Sequence, residues 1–144
     1  MDRMIIFCML LFSSSMVLTA THQKLKYRQI IKTIELLEAA VKNEDSELLH
    51  TPENPEDGCL FTAVTCFQNE TWKLQPKPSQ EKSAFFQKVK ILRKPLLRGS
   101  NTPCRSSCQS YEKKGPKDFL TGFAKLMKQV IRDHSSWLFF DMLQ

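Results

Sequence analysis

The chain has 144 residues, 42% of them apolar, which is enough for one domain with a buried core. Lysine and arginine number 21 against 15 acids, and the formal charge of +6 favours acidic partners, such as an acidic protein face or sulfated glycans. The 4 glycines argue against a phosphate-cradling loop or a turn-dense β protein, and no nucleic-acid-binding motif accompanies the positive charge, so no nucleic-acid partner is expected.

Residues 1–20 read as a secretory signal peptide. Arg3 precedes an apolar run over 4–12, followed by serines and then Val17, Leu18, Thr19 and Ala20 near the expected cut. Residues 21–144 are then the expected extracellular domain. Cys8 leaves with the leader, so Cys59, Cys66, Cys104 and Cys108 remain. An even set in an oxidising compartment predicts two disulfides rather than a metal, and the spacing from Cys59 to Cys66 does not suit a zinc site.

The first helix, A, is expected over 23–41. Tyr27, Ile30, Ile34, Leu37 and Val41 share one stripe, with Ile31 at its edge and Leu36 on the far side. Residues 43–57 hold acids and two prolines and read as a long loop. Helix B is expected over 58–72 with Leu60, Phe61, Val64 and Phe67 inward; its β-branched residues leave a short strand as the alternative. Asn69-Glu70-Thr71 is a glycosylation sequon, with Asn69 the acceptor if exposed. After a break at Pro76 and Pro78, helix C starts near Ser79 or Gln80, presents Phe85, Val89 and Leu92 inward with Phe86 and Ile91 at the edges, and is stopped by Pro95. Residues 96–114 form a second long connection.

The last helix, D, starts at Pro116, whose missing N–H costs nothing in a first turn. Asp118 suits the positive end of the helix dipole, and Lys125, Lys128 and Arg132 lie toward the negative end. Phe119, Phe123, Leu126 and Val130 make its stripe, widened by Leu120, Met127 and Ile131. Beyond it, Trp137, Leu138, Phe139 and Phe140 predict a continued helix or a tail folded on the core, in preference to an exposed patch.

The connections run long, short, long. Short links join antiparallel neighbours, whereas a long link can cross a bundle and set two helices parallel, so an up-up-down-down four-helix bundle is expected. Cys59 and Cys66 would stand about 10 Å apart on a regular helix, too far to bridge each other. Each must reach Cys104 or Cys108, and spacing alone leaves both pairings open.

No histidine, serine or glycine pattern marks a nucleophile, metal site or phosphate loop, and the cysteines are expected to be oxidised. The chain therefore reads as a binding protein, not an enzyme, with no cofactor and no bound metal.

The run SYEKKGPKDFL, from Ser110 to Leu120, follows a close cysteine pair and opens an amphipathic helix. Together with Arg28-Gln29, Cys66-Phe67-Gln68 and Arg93-Lys94-Pro95, it resembles the interleukin-21 branch of the common gamma chain cytokine family, which also holds interleukins 2 and 15. That resemblance implies a secreted, monomeric, all-α short-chain cytokine bundle with two crossover loops and two disulfides, Cys59–Cys104 and Cys66–Cys108. It implies a private-receptor face made by Lys26, Arg28, Gln29, Ile31, Lys32, Glu35, Arg93 and Lys94. A second face, for the common gamma chain, falls on Lys128 and Ile131. The implied action is to bring the two receptors together and so trigger Janus kinase and STAT signalling in lymphocytes. Lys32 stands where the family commonly has an acid, Lys128 where it has a glutamine, and the tail is apolar where the family's is polar. An interleukin-15- or interleukin-2-like cytokine with a further receptor subunit is a rival within the fold. A cationic host-defence protein acting on membranes is the rival of another class.

Overall fold

The computed structural model describes residues 24–97 and 103–143, the stretch 134–143 by its backbone alone. The expected leader and the side chains of Trp137 to Phe140 lie outside the described residues.

Four helices account for most of the described chain. The first, α1, is helical over 24–40. Its stripe is buried as periodicity requires, from Tyr27 through Ile30, Ile34 and Leu37 to Val41, and Leu36 faces out at 50% exposure. Thr33 is buried on its edge, where its hydroxyl donates to the Gln29 carbonyl at 2.8 Å and so avoids an unpaired polar atom. Past the helix, Val41 forms an isolated antiparallel bridge with Pro76. The Lys42 N–H donates to the Gln75 carbonyl and the Lys77 N–H to the Ala40 carbonyl, at 2.8 and 2.9 Å.

The two long connections are not plain loops. Leu49–His50 (β1) pairs antiparallel with Lys113–Lys114 (β2), in the register Leu49 opposite Lys114 and His50 opposite Lys113. Leu49 is fully buried, which anchors this ribbon to the core. A pair of two-residue strands carries no alternation for a sequence reading to detect.

Helix α2 spans Leu60–Glu70, shorter than expected, because its last turn tightens into a 3₁₀ turn over Thr71–Lys73. Thr62 and Thr65 do not convert it to a strand; burial of Ala63, Val64, Cys66 and Phe67 outweighs their propensity. Helix α3 spans Lys82–Leu92 and buries Phe85, Val89 and Leu92. It starts later than the predicted Ser79 or Gln80 because those residues belong to a turn, in which the Gln80 N–H donates to the Lys77 carbonyl at 3.0 Å.

Helix α4 spans Pro116–Leu143, so its backbone stays helical through the aromatic tail segment. Its first turn takes a cap from across the molecule: the Lys117 N–H donates to the Asn43 side-chain oxygen at 3.1 Å. Phe119, Leu120, Phe123, Leu126, Met127 and Val130 are buried. Phe123 stacks on Phe67 with ring centroids 4.9 Å apart, and Phe119 tilts against the same ring at 5.2 Å. Gly122 permits this approach, since a Cβ there would lie 3.2 Å from the Thr51 methyl and 3.6 Å from Phe67.

Cys59 is joined to Cys104 and Cys66 to Cys108, with Cα separations of 5.0 and 5.3 Å. Both bonds tie α2 to the segment before β2, and they close loops spanning 45 and 42 positions. Two disulfides suit an oxidising, extracellular-type environment. Among the described residues, no helix is long and apolar enough to cross a membrane.

Candidate functional site

The outward side of α1 carries Arg28, Gln29, Lys32 and Glu35, all exposed. Arg28, Lys32 and Glu35 stand four and three residues apart and therefore share one helical face. Lys26, also exposed, reaches across the fold, and its ammonium donates to the Pro95 carbonyl at 3.4 Å. This contact places the start of α1 beside the exit of α3, where Arg93 and Lys94 are exposed. Lys26 is thus brought beside Arg93 and Lys94, whereas Arg28, Lys32 and Glu35 stand about a third to half a turn around α1 from it.

Ile31, expected both at the edge of the buried stripe and in the receptor-facing strip, is only 9% exposed and belongs to the core cluster. The buried stripe of α1 is wide enough to take Ile30, Ile31 and Ile34 together, so the strip keeps its charges and amide without that apolar residue.

The exit of α3 is held from behind. Gln68, buried on α2, donates through its amide to the carbonyls of Leu92 and Lys94. These bonds satisfy carbonyls that the end of a helix leaves without a partner. They also fix the backbone from which Arg93 and Lys94 project. The Glu70 carboxylate completes a second tie: it accepts from the His50 N–H at 3.2 Å and from the Lys73 ammonium at 3.0 Å. The carboxylate is mostly buried, and these two donors keep it from being left unpaired there.

Beside the exit lies an open groove of about 540 Å³, lined by Trp72, Phe86, Val89, Lys90, Arg93 and Lys94 among others. Trp72 is 57% exposed and Phe86 41% exposed, large aromatic surfaces for an outer face. Sequence reasoning placed Trp72 at the end of a helix and Phe86 on the edge of a stripe, and assigned neither a role. The available signal was their position: each lies off the stripe that its own helix buries.

On α4, Lys128 is exposed and Ile131 half-buried. The adjacent Gln129 is also half-buried and points about 100° away from Lys128. Asn69 is exposed on α2, so its amide is open to solvent. Among the described residues, two groups have raised pKa values. Burial pushes the Tyr27 phenol up, and the Lys114 ammonium is raised by its hydrogen bond to Glu53, at 2.9 Å, with further help from nearby carboxylates. Among the described residues, no group of three or more histidine, cysteine or acidic side chains is placed to hold a metal ion.

These arrangements suit recognition of an acidic surface. Arg28 and Lys32 are one helical turn apart and Arg93 and Lys94 are adjacent, so an acidic partner adds attraction at each pair, while Glu35 beside Lys32 offsets part of the first. No known protein family model matches the chain.

Proposed function

We propose that this chain is a secreted cytokine resembling interleukin-21, which holds a private receptor and the common gamma chain together so that their associated Janus kinases act on each other and on STAT factors. The cytokine does no chemistry. It makes the meeting of the second receptor a local event once the first is bound.

The observation that carries the reading is the Lys26–Pro95 contact, which brings the start of α1 beside the exposed cations at the exit of α3. Lys26, Arg28, Gln29, Lys32, Glu35, Arg93 and Lys94 make the private-receptor face. Lys128, with the outer part of Ile131, makes the common gamma chain face on α4. The bundle runs up-up-down-down, with crossovers before α2 and before α4. Support comes from α1, whose start meets the exit of α3 and whose end meets both the segment before α3 and the entry of α4.

The test is STAT phosphorylation in cells bearing the private receptor, with and without the common gamma chain. A response only when both are present is expected. A response that survives loss of the common gamma chain overturns the bridging mechanism.

A further inference from the structure

The geometry points to a docking groove, between the 3₁₀ turn at Thr71–Lys73 and the outer side of α3, for an acidic protein segment that inserts one large apolar side chain beside Trp72. This rests on the private-receptor reading and assigns the groove to that receptor.

Trp72 is presented by a fixed support. The Thr71 hydroxyl donates to the Gln68 carbonyl at 2.6 Å, and the Lys73 ammonium is held by Glu70 while standing 6.0 Å from the centre of the Trp72 ring. Phe86 is oriented in turn by an edge-on contact with the buried Phe85, centroids 5.4 Å apart. The two exposed aromatics and Val89 make an apolar floor, and Lys90, Arg93 and Lys94 line the same groove. Among the described residues, none of these three cations forms an ion pair.

The chemistry selects the occupant. A wholly apolar partner would strip water from three cations and leave them unpaired, at a cost that the floor does not return. A sulfated glycan needs the cations alone and has no use for exposed tryptophan and phenylalanine. An acidic segment carrying a leucine or an aromatic residue uses both parts. Its apolar side chain fills the space beside Trp72, the residue type most often found to dominate interface energies, and its carboxylates pair with the rim.

The test is surface plasmon resonance of the intact secreted chain over three immobilised probes: the interleukin-21-type private receptor ectodomain, the common gamma chain ectodomain and heparin. Trp72→Ala and, as a second variant, Phe86→Ser should each weaken private-receptor binding by about tenfold or more, mainly by faster dissociation. Binding to the common gamma chain should not change. The double charge reversal Arg93→Glu/Lys94→Glu should slow association with the private receptor, more so at low salt. Circular dichroism and melting curves matching the wild type confirm that both aromatic variants fold. Wild-type affinity for the private receptor in both folded aromatic variants overturns the groove and leaves the bridging function standing. A charge-reversal defect confined to heparin also overturns it, because the rim is then a glycan site. A wild-type chain that fails to bind the private receptor at all overturns the function and the groove together.

Discussion

Gln68 of α2 grips the end of α3, its side-chain amide donating to the Leu92 carbonyl at 3.0 Å and to the Lys94 carbonyl at 2.6 Å. The amide is buried, so no solvent replaces it readily when it is lost. Gln68→Leu keeps the volume and removes both bonds, leaving two carbonyls short of a donor. A loss of about 2 kcal/mol of unfolding free energy is expected, read from urea denaturation. Because the same bonds fix the backbone at Arg93 and Lys94, binding to the proposed private receptor should weaken while that to the common gamma chain holds. An unchanged unfolding midpoint would mean that the amide does not secure this junction.

The disulfides act on the unfolded chain. Each closes a loop of some forty-odd positions, 45 for Cys59–Cys104 and 42 for Cys66–Cys108. Loops of that length correspond to about 4 kcal/mol each in the chain-entropy account. Replacing either pair by alanine should therefore lower stability by that order in denaturant titration. Loss of the Cys66–Cys108 bond should also loosen the 3₁₀ turn over Cys108–Ser110 that follows it in the chain. A change under about 1 kcal/mol would show that the folded state relaxes to recover the loss.

How much of this was legible in the sequence depends on the range of the signal. Stripes such as Tyr27–Ile30–Ile34–Leu37 repeat at the helical period, and all of these residues are buried. The outward placement of Leu36 followed from the same rule. The β1–β2 ribbon was invisible because Leu49 and His50 pair with residues over sixty positions away, and two residues show no period. Ile31 shows the limit within a helix: an edge position can fall either way, and the width of the core across α1 decides it. Trp72 is a different case: it lies off the stripe that α2 buries, but only the fold shows that nothing else in the described chain covers it, leaving it 57% exposed. On the candidate site, the sequence identified the charges, but only the fold set Lys26 against Pro95.

Arg28 tests the electrostatic side of the proposed receptor face. It is exposed on α1 and forms no ion pair among the described residues. Arg28→Glu should slow association with the private receptor severalfold at low salt and less at physiological ionic strength, with stability unchanged. On-rates equal to those of the wild type at every salt concentration would remove Arg28 from the contact.

Tyr27 and Lys114 give the fold an alkaline limit. Burial raises the Tyr27 phenol above its usual 10.0, and the Glu53 carboxylate raises Lys114 above its usual 10.5. In both cases the folded state holds its proton more tightly than the unfolded state. Stability is therefore undiminished below the ordinary values and declines as pH rises past 10 and through the folded values. Tyr27→Phe should flatten the first part of that decline, since the phenylalanine has no proton to lose; Lys114→Met should leave the tyrosine-linked part in place. Thermal melts between pH 8 and roughly pH 11, the range that brackets both ordinary values, check this. A wild-type melting temperature that stays level across that range would contradict it.

The Tyr111 hydroxyl is buried, and among the described residues it has no hydrogen-bond partner. Its main chain is engaged, however, since the Tyr111 carbonyl lies 3.0 Å from the His50 ring nitrogen Nδ1. The residue thus holds the ribbon through its backbone while its phenol carries an uncompensated desolvation cost. Tyr111→Phe removes that hydroxyl and leaves the ring. Stability should be unchanged or higher by about 1 kcal/mol, in contrast to the usual loss when a bonded tyrosine hydroxyl is deleted. A drop of that size in denaturant titration would mean that the hydroxyl is bonded in solution.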